Sequence, residues 1–123
     1  MPTEVVDASA LAAVLFGEPG AEAVVDRLEA ATLAAPALLD FELASICLKK
    51  MRLYPERSDD YREGLTLRRC MSIELRPVDP VGIVLIALST GLSAYDASYL
   101  WLARHLGAGL ITLDRRLAAA AGT

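Results

Sequence analysis

Two rhythms of apolar residues run along this chain. Brief unbroken runs alternate with longer stretches in which apolar positions recur at helical spacing. Glu4-Val5-Val6-Asp7 reads as a short buried strand, followed by a helix over 8–16 that Gly17-Glu18-Pro19-Gly20 breaks. Residues 21–31 form a second helix, and 33–35 a short strand that Pro36 stops. A long helix over 37–54 starts with Pro36 at or near its first position and ends at Pro55. Residues 57–71 read as another helix despite Gly64, and 72–78 alternate like a strand. Helices over 80–90 and 93–106 are closed by Gly91 and Gly107. A strand at 110–113 and a helix over 115–121 complete the chain. Strands alternating with helices predict βαβ crossovers: a three-layer α/β/α sandwich around a central, mainly parallel sheet of four to five strands, with residues 1–123 as one domain. In such sheets, sites lie beyond the carboxyl ends of the strands.

Composition narrows the choices. Alanine and leucine supply 21 residues each among 123, and aromatics only 6%. Apolar character thus comes from helix formers, which excludes an all-β sandwich and disorder. The longest uncharged stretch, 80–95, has sixteen residues interrupted by Pro80, Gly82 and Gly91. A membrane-spanning helix needs about 20 apolar residues, so no membrane association is expected. The start, Met1-Pro2-Thr3-Glu4, has neither the basic region nor the apolar run of a secretory signal. Cys47 and Cys70 form no C-x-x-C pair, and both read as small, buried, reduced side chains of a cytoplasmic protein.

Acids outnumber bases 16 to 12, so charge alone does not make this a nucleic-acid glove. The distribution is uneven, however. Residues 1–42 hold eight acids and one base, whereas 49–76 hold eight bases against five acids. That basic stretch is either a solvated helical pair with internal salt bridges or a track for a polyanion.

The carboxylates carry the candidate chemistry. Asp7 and Asp114 each end a strand and open a helix, so parallel strands place both at one edge of the sheet. Both are also good N-caps. Ser93 and Asp96 fit a capping box. Glu42 lies inside the long helix, beyond the capping positions. It shares a narrow face with Ser45, Lys49 and Arg52. Asp40 points elsewhere and is a reserve candidate, expected to partner the start of its own helix. Clustered carboxylates raise one another's pKa unless a cation intervenes. Oxygen donors without thiolate or imidazole favour magnesium or manganese over zinc.

Four blocks in order now bear a family likeness: Val5-Val6-Asp7-Ala8-Ser9-Ala10-Leu11; Glu42; Gly91-Leu92-Ser93-Ala94-Tyr95-Asp96-Ala97-Ser98-Tyr99-Leu100; and Leu110-Ile111-Thr112-Leu113-Asp114-Arg115-Arg116-Leu117. Together they span nearly the whole chain, and it resembles the PIN-domain ribonucleases, specifically the VapC-type toxins of toxin–antitoxin pairs. The resemblance implies an endoribonuclease dependent on one or two Mg²⁺ or Mn²⁺ ions, with Asp7, Glu42, Asp96 and Asp114 as metal ligands. It implies Ser9 and Thr112 as hydroxyls that orient ligands or water. It further implies in-line hydrolysis leaving a 5′-phosphate and a 3′-hydroxyl, a cognate antitoxin covering the active-site groove, and a homodimer. Ser45, Lys49, Arg52, Arg115 and Arg116 are candidates for the RNA backbone on charge and position alone.

Other residues read more plainly. His105, the single histidine, sits at a helix end where positive charge is favoured. Tyr99 and Trp101 read as core or dimer contacts; Tyr95 borders Asp96 and reads as a packing residue, with stacking on a base as the alternative. Two other functions compete. A phospho-receiver domain has similar size and acids at strand ends, but needs a lysine near its last strand, and this chain has lysines only at 49 and 50. An inert PIN-fold scaffold or RNA-binding module would have no need of all four acids.

Overall fold

The computed structural model of the chain describes residues 1–122. Four strands make one fully parallel sheet: β1 (Thr3–Val6), β2 (Thr32–Pro36), β3 (Ile73–Arg76) and β4 (Gly109–Ile111), in spatial order β3-β2-β1-β4. Seven helices connect and cover them: α1 (Ala8–Phe16), α2 (Ala21–Glu29), α3 (Leu38–Leu53), α4 (Ser58–Leu67), α5 (Pro80–Thr90), α6 (Ala94–Leu106) and α7 (Arg115–Ala121). The architecture is the expected α/β/α sandwich.

The strand order fixes where a site can form. From β1 the chain steps outward to β2 and then β3, and afterwards returns to the opposite side of β1 as β4. Right-handed crossovers then send the first connections over one face of the sheet and the return over the other. The switch point falls between β1 and β4, where Val5 pairs with Leu110 and Val6 with Ile111. Val5, Val6, Ala35, Leu110 and Ile111 are fully or almost fully buried, as strands covered on both faces should be. Leu11, Leu39, Leu43, Leu100, Leu102 and Leu117 fill the core from the helices.

Several boundaries differ from the sequence reading. Pro36 is the last residue of β2, paired with Arg76, and α3 begins after Ala37. Proline lacks only the N–H, so it fits a strand end as well as a helix start. The expected 57–71 helix is instead α4 flanked by two 3₁₀ turns, Pro55–Arg57 and Arg68–Cys70. Gly64 belongs to α4's packing: a Cβ there would collide with the Leu15 carbonyl of α1. The strand expected at 72–78 is confined to β3, and β4 stops at Ile111, which leaves Thr112 free of the ladder. Cys47 is buried as expected, but Cys70 is exposed in its turn.

Candidate functional site

Asp7 is the anchor of the sheet edge. Its backbone N–H donates to the Ile111 carbonyl at 3.1 Å, and its carboxylate accepts from Ala10 N–H at 3.0 Å, so it caps α1 as expected. Two hydroxyls hold the same carboxylate. Ser9 Oγ lies 2.8 and 3.0 Å from its two oxygens, and Thr112 Oγ1 donates to Oδ2 at 2.7 Å. Both hydroxyls also accept backbone N–H groups, Ser9 from Leu113 and Thr112 from Asp114, each at 3.0 Å. Those bonds fill hydroxyl lone pairs and leave both O–H bonds directed at Asp7. The network ties the end of β4 to the start of α1 across the switch point.

Glu42 is half-buried, one turn into α3, and accepts the phenolic O–H of Tyr99 from α6 at 2.5 Å. Tyr99 is almost wholly buried. Burial and the Glu42 charge push its phenol far above the ordinary tyrosine range, so it remains a donor. Sequence reading took Tyr99 for a core residue and missed this bond. The available signal was its position three residues beyond Asp96, on one face of the same helix.

Asp96 is half-buried in the first turn of α6, where Ser93 accepts its N–H at 3.1 Å in half of the expected capping box. Asp114 caps α7, accepting Leu117 N–H at 2.9 Å. Burial raises the pKa of Asp7, Glu42 and Asp96 above ordinary carboxylate values, and mutual repulsion adds to it: Asp96 acts on Asp7 and Glu42, Asp7 on Glu42, and Asp114 on Asp96. The four acids, drawn from four elements, therefore share one electrostatic neighbourhood. Among the described residues, no three acids, histidines or cysteines close into a coordination shell. Each carboxylate has a donor of its own: Ser9, Thr112 and Ala10 N–H for Asp7, Tyr99 for Glu42, Ser93 for Asp96 and Leu117 N–H for Asp114. The donor chemistry still suits a hard divalent ion: oxygen ligands only, with charges that burial and repulsion penalise.

Other candidates divide. Arg116 donates to the Gly91 carbonyl at 2.9 Å and lowers the pKa of Asp96, which places it at the rim of the acid cluster. Arg115 is exposed beside it. Ser45, Lys49 and Arg52 are exposed along α3, as the periodicity predicted. Much of the remaining basic segment is used internally: Lys50 pairs with Glu18, Arg62 with Asp59, Arg68 with Asp40 and Arg76 with Glu74, while Arg57 lies over the Tyr61 ring. The positive track thus narrows on α3 to Lys49 and Arg52. Asp40 serves the Arg68 turn rather than its own helix start. Trp101 is half-buried and stacks on His105, with ring centroids 4.7 Å apart. Tyr95, expected to pack, is 66% exposed, because its helical position turns it away from the core that takes Ala97, Ser98 and Tyr99.

Comparison with known proteins bears on the family and the fold. The PIN domain family matches residues 5–123. "Ribonuclease VapC9" of Mycobacterium tuberculosis is 34% identical over 113 residues, 92% of this chain and 87% of that protein. "Ribonuclease VapC12" of the same organism is 30% identical over 120 residues, covering 96% and 92%. The crystal structure of PAE2754 from Pyrobaculum aerophilum superposes with a TM-score of 0.69 at 28% identity, over 97% of this chain and 86% of that one. M. tuberculosis VapC20, described as a sarcin–ricin loop cleaving toxin, shares the fold with a TM-score of 0.64 at 16% identity, over 95% and 94%. By sequence and by fold, the chain belongs to the PIN-domain family, among the VapC ribonucleases.

Proposed function

We propose that this protein is a divalent-metal-dependent endoribonuclease, the toxin of a toxin–antitoxin pair. The observation that carries the reading is the gathering of Asp7, Glu42, Asp96 and Asp114 at the switch point of a VapC-type fold, with three of them at raised pKa. These four would hold one or two Mg²⁺ or Mn²⁺ ions. When bound, such a cation polarises a phosphoryl oxygen and makes water a stronger nucleophile at neutral pH.

The chain's own residues do the rest. Ser9 and Thr112 fix the Asp7 carboxylate so that it cannot rotate away from the pocket. Tyr99 does the same for Glu42. Arg116, with Arg115 beside it, offers positive charge at the rim where a phosphate would enter, and Ser45, Lys49 and Arg52 carry the RNA backbone along α3. In the hydrolysis, the water oxygen bonds to phosphorus, the bond to the 3′ oxygen breaks, and that oxygen takes a proton. Incubation of the purified protein with RNA and manganese is expected to yield 5′-phosphate and 3′-hydroxyl ends, and a chelator to stop cleavage. RNA cut equally well in excess chelator would refute the metal role.

Tyr99→Phe is expected to cost about 1.5–3 kcal/mol of stability, as for a buried hydrogen bond to a charged acceptor. It also removes a donor that lowers the Glu42 pKa, so the acid limb of the cleavage pH profile moves upward. An unchanged limb would deny Tyr99 its role in holding Glu42.

Two partners follow from the same reading. α5 contains no charged residue and exposes Val81, Val84, Leu85 and Leu88, spaced to form one stripe, which supports a homodimer. Sedimentation as a monomer at tens of micromolar would contradict it. The second is a cognate antitoxin that covers the active-site groove. Failure of any neighbouring gene product to suppress the toxin's growth arrest would contradict that. The proposed RNA substrate and antitoxin place this activity in the cytoplasm.

A further inference from the structure

Phe41 and Tyr95 are both strongly exposed, at 79% and 66%, yet they stand on different helices and line one open groove of about 440 Å³ with Leu38, Glu42 and Ser45. Each aromatic immediately precedes a carboxylate of the acid cluster, Glu42 on α3 and Asp96 on α6. Neighbours on a helix point about 100° apart. When the acid turns toward the pocket, the aromatic before it is carried to the rim.

We propose that Phe41 and Tyr95 form a stacking platform for one unpaired base of the RNA substrate, placed beside the cluster that cuts it. This rests on the ribonuclease reading and names the part of the substrate that the groove holds. A phosphate is repelled by Glu42 and Asp96, whereas a neutral base approaches them without that penalty. Aromatic faces hold bases of any identity by stacking, and single-stranded RNA is recognised largely in this way. Ser45, one turn beyond Phe41, lines the groove where the backbone leaves the stacked base. Beyond the groove, Lys49 and Arg52 are exposed further along α3, and positive charge there suits a polyanion better than an apolar protein segment.

The test uses the full chain with single-stranded RNA oligonucleotides carrying 2-aminopurine at successive positions. Binding is read by fluorescence quenching in an Asp96→Asn background, which holds the RNA intact, and cleavage is read in the otherwise unaltered protein with manganese. Phe41→Ala and Tyr95→Ala are each expected to weaken binding about 5- to 100-fold, through KM rather than kcat, and to abolish quenching at one position. Phe41→Trp and Tyr95→Phe should retain both. Both side chains are exposed, so the alanine variants should melt with the parent. Alanine variants with unaltered KM and quenching overturn the proposal. So do variants that keep RNA binding but escape suppression by a partner protein, since the groove would then be a protein seat. Position-specific quenching that needs both aromatics, in a protein that cuts no RNA, supports the platform and refutes the nuclease instead.

Discussion

Asp96→Asn is expected to reduce RNA cleavage by about a thousandfold or more, the scale of losing several kcal/mol of metal-assisted stabilisation of the transition state. The fold should survive unharmed. Asp96 is raised in pKa by burial first and by Asp114 second, against weaker help from Ser93 and Arg116. Its negative form is therefore a burden on the native state at neutral pH. Asparagine keeps the shape, still donates its N–H to Ser93, and removes the repulsion. The melting temperature without metal should equal or exceed that of the parent. Loss of activity with a preserved fold separates a functional carboxylate from a structural one. Asp7→Asn should lose activity similarly, but with less stability gained, because Asp7 accepts bonds from Ser9, Thr112 and Ala10 that asparagine reproduces only in part. Undiminished cleavage by purified Asp96→Asn would remove Asp96 from the site.

The second large effect couples pH, metal and stability. Asp7, Glu42 and Asp96 have native pKa values above their ordinary 3.8, 4.5 and 3.8. Between the ordinary and the raised values the native state binds more protons than the unfolded chain. By linkage, the stability these groups contribute is fully present below pH 4 and is lost as pH rises through the raised values. In chelator, the stability advantage of Asp96→Asn over the parent should therefore widen between pH 4 and 7. An advantage that shrinks over that range would mean the carboxylate is stabilised in the fold, contrary to this account. Manganese should reverse the order. Metal at a hundredfold excess over its Kd adds about 2.7 kcal/mol to whichever protein binds it. In a chain of this size that corresponds to roughly 10 °C in Tm. The parent gains it and Asp96→Asn gains much less.

Much of the fold was legible because the signals were local. Val5 and Val6 bounded by charges, the breaker at Gly17–Gly20, and glycines closing α5 and α6 each determine their own surroundings. Asp7, Glu42, Asp96 and Asp114 could also be picked out as candidates, since three stand at helix starts and Glu42 lies where a carboxylate has no capping use. What sequence could not give was pairing across the fold. The Tyr99–Glu42 bond joins residues 57 positions apart, and the Thr112–Asp7 bond residues 105 apart. No periodicity encodes such distances. Nor could the basic segment be sorted from sequence: Arg68 and Lys50 are spent on Asp40 and Glu18, partners found in earlier parts of the chain. Tyr95 misled for a related reason. Its neighbours Ala97, Ser98 and Tyr99 are buried, and only the orientation of α6 against the sheet reveals that the first turn leaves Tyr95 outside.

On this proposal, four carboxylates from distant parts of the chain act as one cation site. Crystals grown at neutral pH and soaked in manganese test it most directly, by anomalous scattering. A strong peak is expected bounded by Asp7, Glu42, Asp96 and Asp114, with their oxygens drawn inward to it. A map with no peak there, or with manganese bound only elsewhere, would contradict it.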